Sequence, residues 1–286
     1  MSTLNTTTSS TRPSLGSSDI GKSYYETDTN KIIVWDGVGF DEYNADYIAN
    51  PDFFNEYALN FDGTNDKVTI PHNSSLNGTN GLTISAWVNH NGSLSGFPQI
   101  VSKRAGNTSY QLNIKNTGEL YFGVDGTSFV TGSTSLSSNT WYHAAVTWTN
   151  GTGAVAFYLN GSPDGTGTSK TSVTTNTGAF EIGKNPAFTN WFGGAMDEVV
   201  FYDYVLTSTE VNSLVQTVSG NLKPNDADTL NPVGWWRLGD STGDTSSTIV
   251  NAATGSNSAG SSIDGSISGA TSRDLSTTPD SIYLQQ

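Results

Sequence analysis

The 286-residue sequence contains no cysteine, which excludes disulfides, thiolate catalysis and cysteine-ligated zinc. Stability must come from packing, with or without a metal. Basic residues are also scarce: 12 Lys and Arg stand against 26 Asp and Glu, a formal charge of -14. Such a chain repels phosphate backbones and anionic membrane surfaces, so nucleic acid is a poor partner for it. No apolar run approaches the roughly 18 residues that a spanning helix needs, so no membrane insertion is expected. The polar start MSTLNTTTSSTRPSLGSSD has neither a basic n-region nor an apolar h-region and does not read as a secretory signal peptide. Work outside a cell then requires another route, such as release by lysis within a virus particle. The histidines His72, His90 and His143 are scattered, none at metal-ligand spacing from another His or an acid. Neither G-x-S-x-G nor H-E-x-x-H occurs, so these hydrolase signatures are missing.

What is present points to strands. Gly 31, abundant Ser, Thr and Asn, and only 13% charged residues describe short strands joined by polar turns. Trp 7, Tyr 12 and Phe 12 supply large buried areas from few positions. In LTISAWVN, Leu82, Ile84, Ala86 and Val88 share one face, with Thr83, Ser85, Trp87 and Asn89 on the other. The same alternation places Tyr110, Leu112 and Ile114 together, then Tyr142, Ala144, Val146 and Trp148, then Val155, Phe157 and Leu159. Many short half-buried strands make a sandwich or a barrel. One short helix is expected where Thr207 and Glu210 have capping-box spacing ahead of Val211, Leu214 and Val215. Residues 1–18 read as an arm without periodicity, residues 24–37 as a hairpin turning at Asp28 to Lys31, and residues 241–286 as extended coil over the sandwich.

The segments ALNFDGTNDKVTIP, LTISAWVN, NTWYHAAVTWTNGTGAVAFYLNG, GAFEIGKN and FGGAMDEVVFYDYVLTSTEV together resemble the laminin-G-like family, with its concanavalin A-like fold. The resemblance covers about residues 56–216. It implies an all-β, two-sheet antiparallel jelly-roll sandwich whose rim loops carry ligands, often with calcium. GWWRLGD, residues 234–240, is similar to a strand that relatives carry before their FDG segment, yet here it follows the helix. A circular permutation, with residues 234–270 supplying that strand, keeps Trp235, Trp236 and Leu238 from being stranded as exposed apolar surface. The domains expected are therefore an arm with a hairpin over residues 1–50 and a jelly roll over residues 51–286.

Residues 12–40 resemble a short module of tailed-bacteriophage structural proteins, with Phe40 where an aromatic, often Trp, is usual. This resemblance implies a non-enzymatic virion protein, a tail fibre or capsid decoration. Its residues 1–50 attach to other virion proteins and its jelly roll meets a host-surface glycan. Homotrimers are common in such fibres, although no coiled-coil heptads support one here. The alternative is a carbohydrate-binding adhesin of a bacterial surface; a glycan-cleaving enzyme stands third.

Several motifs bear on chemistry. Gly16 to Ser23 matches the P-loop pattern, but its flanks lack the strand and helix that the motif requires, so it reads as a turn. Asp62, Asn65, Asp66 and Asp197 are candidate calcium ligands on the resemblance, against the plainer reading that Asp62 holds a turn before Gly63. Phe188, Asn190 and Trp191 are the candidate sugar platform, an aromatic face beside an amide, against simple packing at the rim. Asp197 and Glu198 are adjacent on an expected strand and should point to opposite faces, whereas a glycosidase acid and base must converge.

Overall fold

The computed structural model describes residues 5–15, 23–26, 31–35, 38, 40–44, 57–185, 190–218, 221–241, 243–269 and 272–274. The chain divides into two units, residues 1–54 with 218–220 and residues 55–217 with 221–286. In the first, four strands pair in the order Asn5–Thr7, Ser23–Glu26, Lys31–Trp35 and Phe40–Asn44. The expected hairpin is present, with Tyr24 opposite Ile33 and Glu26 opposite Lys31. The arm differs from expectation: Asn5–Thr7 is a strand parallel to Ser23–Glu26, followed by a short 3-10 turn at Ser9–Thr11. A three-residue polar strand is too short to show alternation, and its ladder to a neighbour, not a pattern of its own, orders it. Most of the formal P-loop match lies outside the described residues; its Ser23 opens a strand where that motif demands a helix.

The second unit is a sandwich of two mostly antiparallel sheets. The first sheet runs Ser162–Thr168, Ala154–Leu159, Tyr142–Trp148, Leu82–His90, Gly193–Tyr202, Ala58–Asp62 and Ser272–Asp274. The second runs Thr127–Ser135, Glu119–Val124, Tyr110–Ile114, Gln99–Ser102, Phe180–Ile182, Lys67–Ile70, Gly265–Ser268 and Thr248–Ile249. Between them lies one apolar cluster that takes the inward positions of each alternating run, including Ile84, Val88, Leu112, Val146, Trp148 and Phe157. Aromatic pairs bridge it: Tyr110 stacks on Phe201 at 5.7 Å and Phe180 on Trp236 at 5.1 Å. The expected helix forms at Ser208–Ser213, with Thr207 as N-cap and both halves of the capping box present.

The long strand Gly193–Tyr202 organises the first sheet. One edge pairs with Leu82–His90 along most of its length. The other edge is shared end to end by two separate segments: Ala58–Asp62 pairs as far as Met196 opposite Leu59, and Gly234–Trp236 takes over from Val199 opposite Trp236. Residues 234–236 are thus a strand of the sandwich, and Trp235, Trp236 and Leu238 are all buried. The tail departs from the coil expected of it. Thr248–Ile249 and Gly265–Ser268 extend the second sheet, and Ser272–Asp274 closes an edge of the first. Ile249 and Ile263 are the apolar anchors of this Ser/Gly-rich stretch, too few for a readable period, and ladder bonds do the rest.

The polar face of Leu82–His90 is not solvated as an alternating strand suggests. Thr83, Ser85 and Trp87 are buried. Thr83 Oγ1 donates to the Tyr204 carbonyl at 2.9 Å and accepts the Leu206 N–H at 2.9 Å. Further along, the side chains of Val200, Leu214, Pro224, Ala227 and Trp235 crowd Ser85 and Trp87.

Candidate functional site

The seam where one edge partner of Gly193–Tyr202 hands over to the other falls at Asp197 and Glu198, which neither partner pairs. On the opposite edge a one-residue β-bulge begins at the same place: the register jumps from Asp197 opposite Trp87 to Val200 opposite Ser85, so that Glu198 and Val199 together face Ala86. Glu198 takes a left-handed φ of 47°, uncommon for a residue with a side chain. Bulge and left-handed turn together defeat the alternation rule. Adjacent carboxylates that should point apart instead approach each other, and Asp197, Glu198 and Asp240 place oxygens within 4.8 Å of one another.

Each carboxylate is engaged. Asp197 Oδ1 accepts the Glu198 N–H at 2.8 Å. Glu198 accepts from Arg237 Nε at 3.1 Å and from the Trp235 indole N–H, and Arg237 lies over the Trp235 ring at 5.2 Å. Asp240 accepts the Tyr57 N–H at 3.2 Å. Burial works against the Arg237 charge, but Glu198 and Asp240 outweigh it and hold the guanidinium pKa above its ordinary value. The oxygens of three carboxylates are hard donors of the kind that suit a hard divalent cation. The adjoining cavity, lined by Ser85, Trp87, His143 and Glu198 among others, has a volume of about 10 Å³, room for a single water.

The other candidate ligands lie elsewhere. Asp62 faces Gly193, four residues from Asp197 along the strand, a separation of about 13 Å. Asp62 Oδ1 accepts the N–H groups of Thr64 at 2.6 Å and Asn65 at 3.1 Å, so it holds the turn. Asp66 is buried and its Oδ2 accepts the Asp62 N–H at 2.8 Å, while Asn65 is exposed. The four-residue set is therefore not one site: Asp197 joins Glu198 and Asp240, two residues that the sequence pattern could not bring to it. Phe188 lies outside the described residues. Trp191 is half-buried with Lys184 Nζ 4.5 Å above its ring, which occupies one face of the expected platform, and Asn190 is half-buried beside it.

A second aromatic face lies on the outside of the second sheet. Leu120, Phe122 and Val124 point into the core, so Tyr121 points out. Its ring stacks on Phe129 at 4.7 Å and 8°, and on Phe97 at 5.5 Å and 29°, and all three rings are half-buried. Gly123 makes the arrangement possible, since a Cβ there would lie 2.4 Å from the Phe129 ring. Asn113 stands directly opposite Tyr121, and Gln99 directly opposite Asn113, so the three side chains share the row. Gln99 Nε2 donates to the carbonyls of Val101 and Leu112, both at 2.7 Å, filling the bulge in its own strand. Nothing local in the sequence assembles this row; the outward position of Tyr121 in ELYFGV was the one signal available.

His143 Nε2 and Ser85 Oγ are 2.7 Å apart on the outer face of the first sheet. Burial alone pushes the His143 pKa down to about 3. The folded protein therefore keeps this imidazole neutral, while the unfolded chain protonates it below about 6.5. The unfolded state binds the extra proton, so stability falls as pH drops through the window from 6.5 to about 3. We expect a slope of up to about 1.4 kcal/mol per pH unit from this group. Urea midpoints measured across that range should fall less steeply for His143→Gln than for the parent; parallel slopes would assign the acid sensitivity to carboxylates instead.

Comparison with known proteins agrees with this architecture. A family model described as the concanavalin A-like lectin/glucanases superfamily matches residues 62–212, more than half of the chain. Sushi, von Willebrand factor type A, EGF and pentraxin domain-containing protein 1 of Rattus norvegicus is 32% identical over 105 residues, covering 33% of this chain and 3% of that protein. The chain thus spans a small fraction of that relative's length. Among solved structures, a Bacteroides ovatus protein proposed to bind carbohydrate superposes with a TM-score of 0.57 at 18% identity, covering 89% of this chain and 69% of the other. The SAP-like pentraxin of Limulus polyphemus gives a TM-score of 0.44 at 19% identity, covering 56% and 82%. At 18% identity the likeness to the Bacteroides ovatus protein speaks for the fold alone. With the family match spanning most of the two-sheet sandwich, the chain belongs to the concanavalin A-like lectin/glucanase superfamily.

Proposed function

We propose that this chain binds carbohydrate without cleaving it, through the aromatic face of the second sheet. The observation that carries the reading is the row of half-buried rings Phe97, Tyr121 and Phe129. Flat aromatic faces pack on the C–H faces of sugar rings while neighbouring amides read the hydroxyls. Cleavage is disfavoured because, of the carboxylates that converge, Asp197 and Glu198 are buried, and the cavity that Glu198 lines is about 10 Å³, far too small for a sugar ring. Affinity electrophoresis against a range of neutral and acidic polysaccharides tests the reading. Retention by at least one, weakened roughly tenfold by Tyr121→Ala and without release of new reducing ends, is expected. No retention by any polysaccharide sinks it.

Calcium is part of the same proposal, held by Asp197, Glu198 and Asp240. The fit rests on the hard oxygens of three carboxylates that converge in a partly buried site. Calcium at about a hundredfold excess over its Kd should stabilise the fold by about 2.7 kcal/mol. That rise in Tm should be reversed by chelation and be lost in Asp240→Asn. An Asp240→Asn protein that responds to calcium like the parent removes the ion from this cluster.

The setting we propose is a virion, with the chain as tail fibre or decoration and residues 1–50 as the segment that attaches it to other virion proteins. The support is the resemblance of residues 12–40 to a tailed-phage module, in a segment that has a four-stranded sheet of its own. A bacterial-surface adhesin is the competing setting, since the same jelly roll serves either. Mass spectrometry of purified particles decides between them: a stoichiometric component places the chain on the virion, and absence from particles gives the adhesin.

A further inference from the structure

Beneath the aromatic row lie two acceptors with no partner among the described residues. Gln99 Oε1 and Asn113 Oδ1 are buried without a hydrogen bond, in side chains 0% and 1% exposed. The Gln99 orientation is not arbitrary, because its Nε2 is committed to two carbonyls and its oxygen is the end left over. An unpaired buried acceptor costs about 1–3 kcal/mol, so an arrangement of two invites an explanation. Tyr121 and Gln99 lie on the strands flanking Asn113, two sheet spacings or about 9.5 Å apart. Phe97 precedes Gln99 by two residues, yet its ring reaches that of Tyr121. It therefore crosses above the strand that carries Asn113.

Phe97 is also poorly secured. Its φ of 60° is left-handed, an outlier for a bulky residue, and Gly92 and Gly96 beside it have φ values of 92° and 76°. Residues 95 and 96 form a turn, and among the described residues no hydrogen bond ties the backbone of residues 94–97 to the flanking strands. By contrast the base of the loop is tied down, with the Asn91 N–H donating to the Gly193 carbonyl at 2.9 Å.

We infer that Phe97 is a lid over a neutral-saccharide subsite: lifting its ring off Tyr121 uncovers Gln99 Oε1 and Asn113 Oδ1, which accept hydrogen bonds from sugar hydroxyls. The sugar takes the place of the Phe97 ring on Tyr121. Two carbonyl acceptors favour a hydroxyl donor over an anionic sugar. This inference rests on the carbohydrate-binding reading and adds the donor chemistry and the gate.

The test uses the full chain with neutral trisaccharides and tetrasaccharides of glucose, galactose, mannose and arabinose, read by calorimetry and stopped-flow fluorescence. Phe97→Gly suits the left-handed backbone and removes the lid, so association should be about fivefold faster. Asn113→Leu deletes an acceptor at similar volume; it should weaken binding about tenfold and, without ligand, raise Tm, because the unpaired group is gone. If the parent binds a sugar and both variants bind it as the parent does, the subsite is elsewhere and the carbohydrate reading stands. A lower Tm in Asn113→Leu shows the amide to be structurally satisfied and overturns the subsite. If the parent binds none of this neutral panel, the subsite falls; retention of an acidic polysaccharide in the electrophoresis then keeps the carbohydrate reading, and no retention by any polysaccharide ends both.

Discussion

The sandwich depends on how one edge of the strand Gly193–Tyr202 is completed. A ten-residue strand at the centre of a sheet must find ladder partners on both sides, because unpaired buried N–H and C=O groups are costly. Leu82–His90 supplies one side in a single piece, whereas the other is assembled from two pieces far apart in sequence. The join between them leaves a gap of two residues, and those residues carry the carboxylates. The acidic cluster is in this sense a product of topology: a gap in the ladder, a bulge opposite it, and the side chains of Trp235, Arg237 and Asp240 brought in by the later flanking segment.

The two outer faces of the sandwich are put to different uses. On the first sheet, Leu214 at the C-cap of the helix and Pro224, Asn225 and Ala227 after it lie over Ser85, Trp87 and His143 and leave space for about one water. On the second, the polar positions Gln99, Asn113 and Gln111 are also buried, but aromatic rings lie beside them and retain partial exposure. Gln111 is satisfied, accepting from Arg104 and from Asn185, both at 2.8 Å. The side-chain oxygens of Gln99 and Asn113 are not, and that contrast singles out one end of the face.

Much of the sandwich was legible because each strand declares its inward face by itself. Leu82 to Val88, Tyr142 to Trp148 and Val155 to Leu159 need no long-range information, and the Thr207 and Glu210 pair marks its helix locally. What escaped is what no single segment encodes. The coil expected after Ser241 is partly ladder, since Ser and Gly strands borrow their order from neighbours. Asp197 and Glu198 were expected on opposite faces, and a bulge with a left-handed glutamate reversed this. The row of Phe97, Tyr121 and Phe129 draws on a loop and two strands, so only the register of the sheet reveals it.

The split edge has a consequence for synthesis. Tyr57 and Asp240, nearly two hundred residues apart, meet through a hydrogen bond of 3.2 Å at the join. As the chain leaves the ribosome, Gly193–Tyr202 can pair with everything made before it, yet half of its second edge waits for residues 234–236. Until then the nascent sandwich exposes an open strand edge beside an apolar core that lacks Trp236, the kind of surface on which chains associate wrongly. The late-made segment is therefore the seal of the domain, and a ribosome that stalls before it leaves an unclosed and aggregation-prone product.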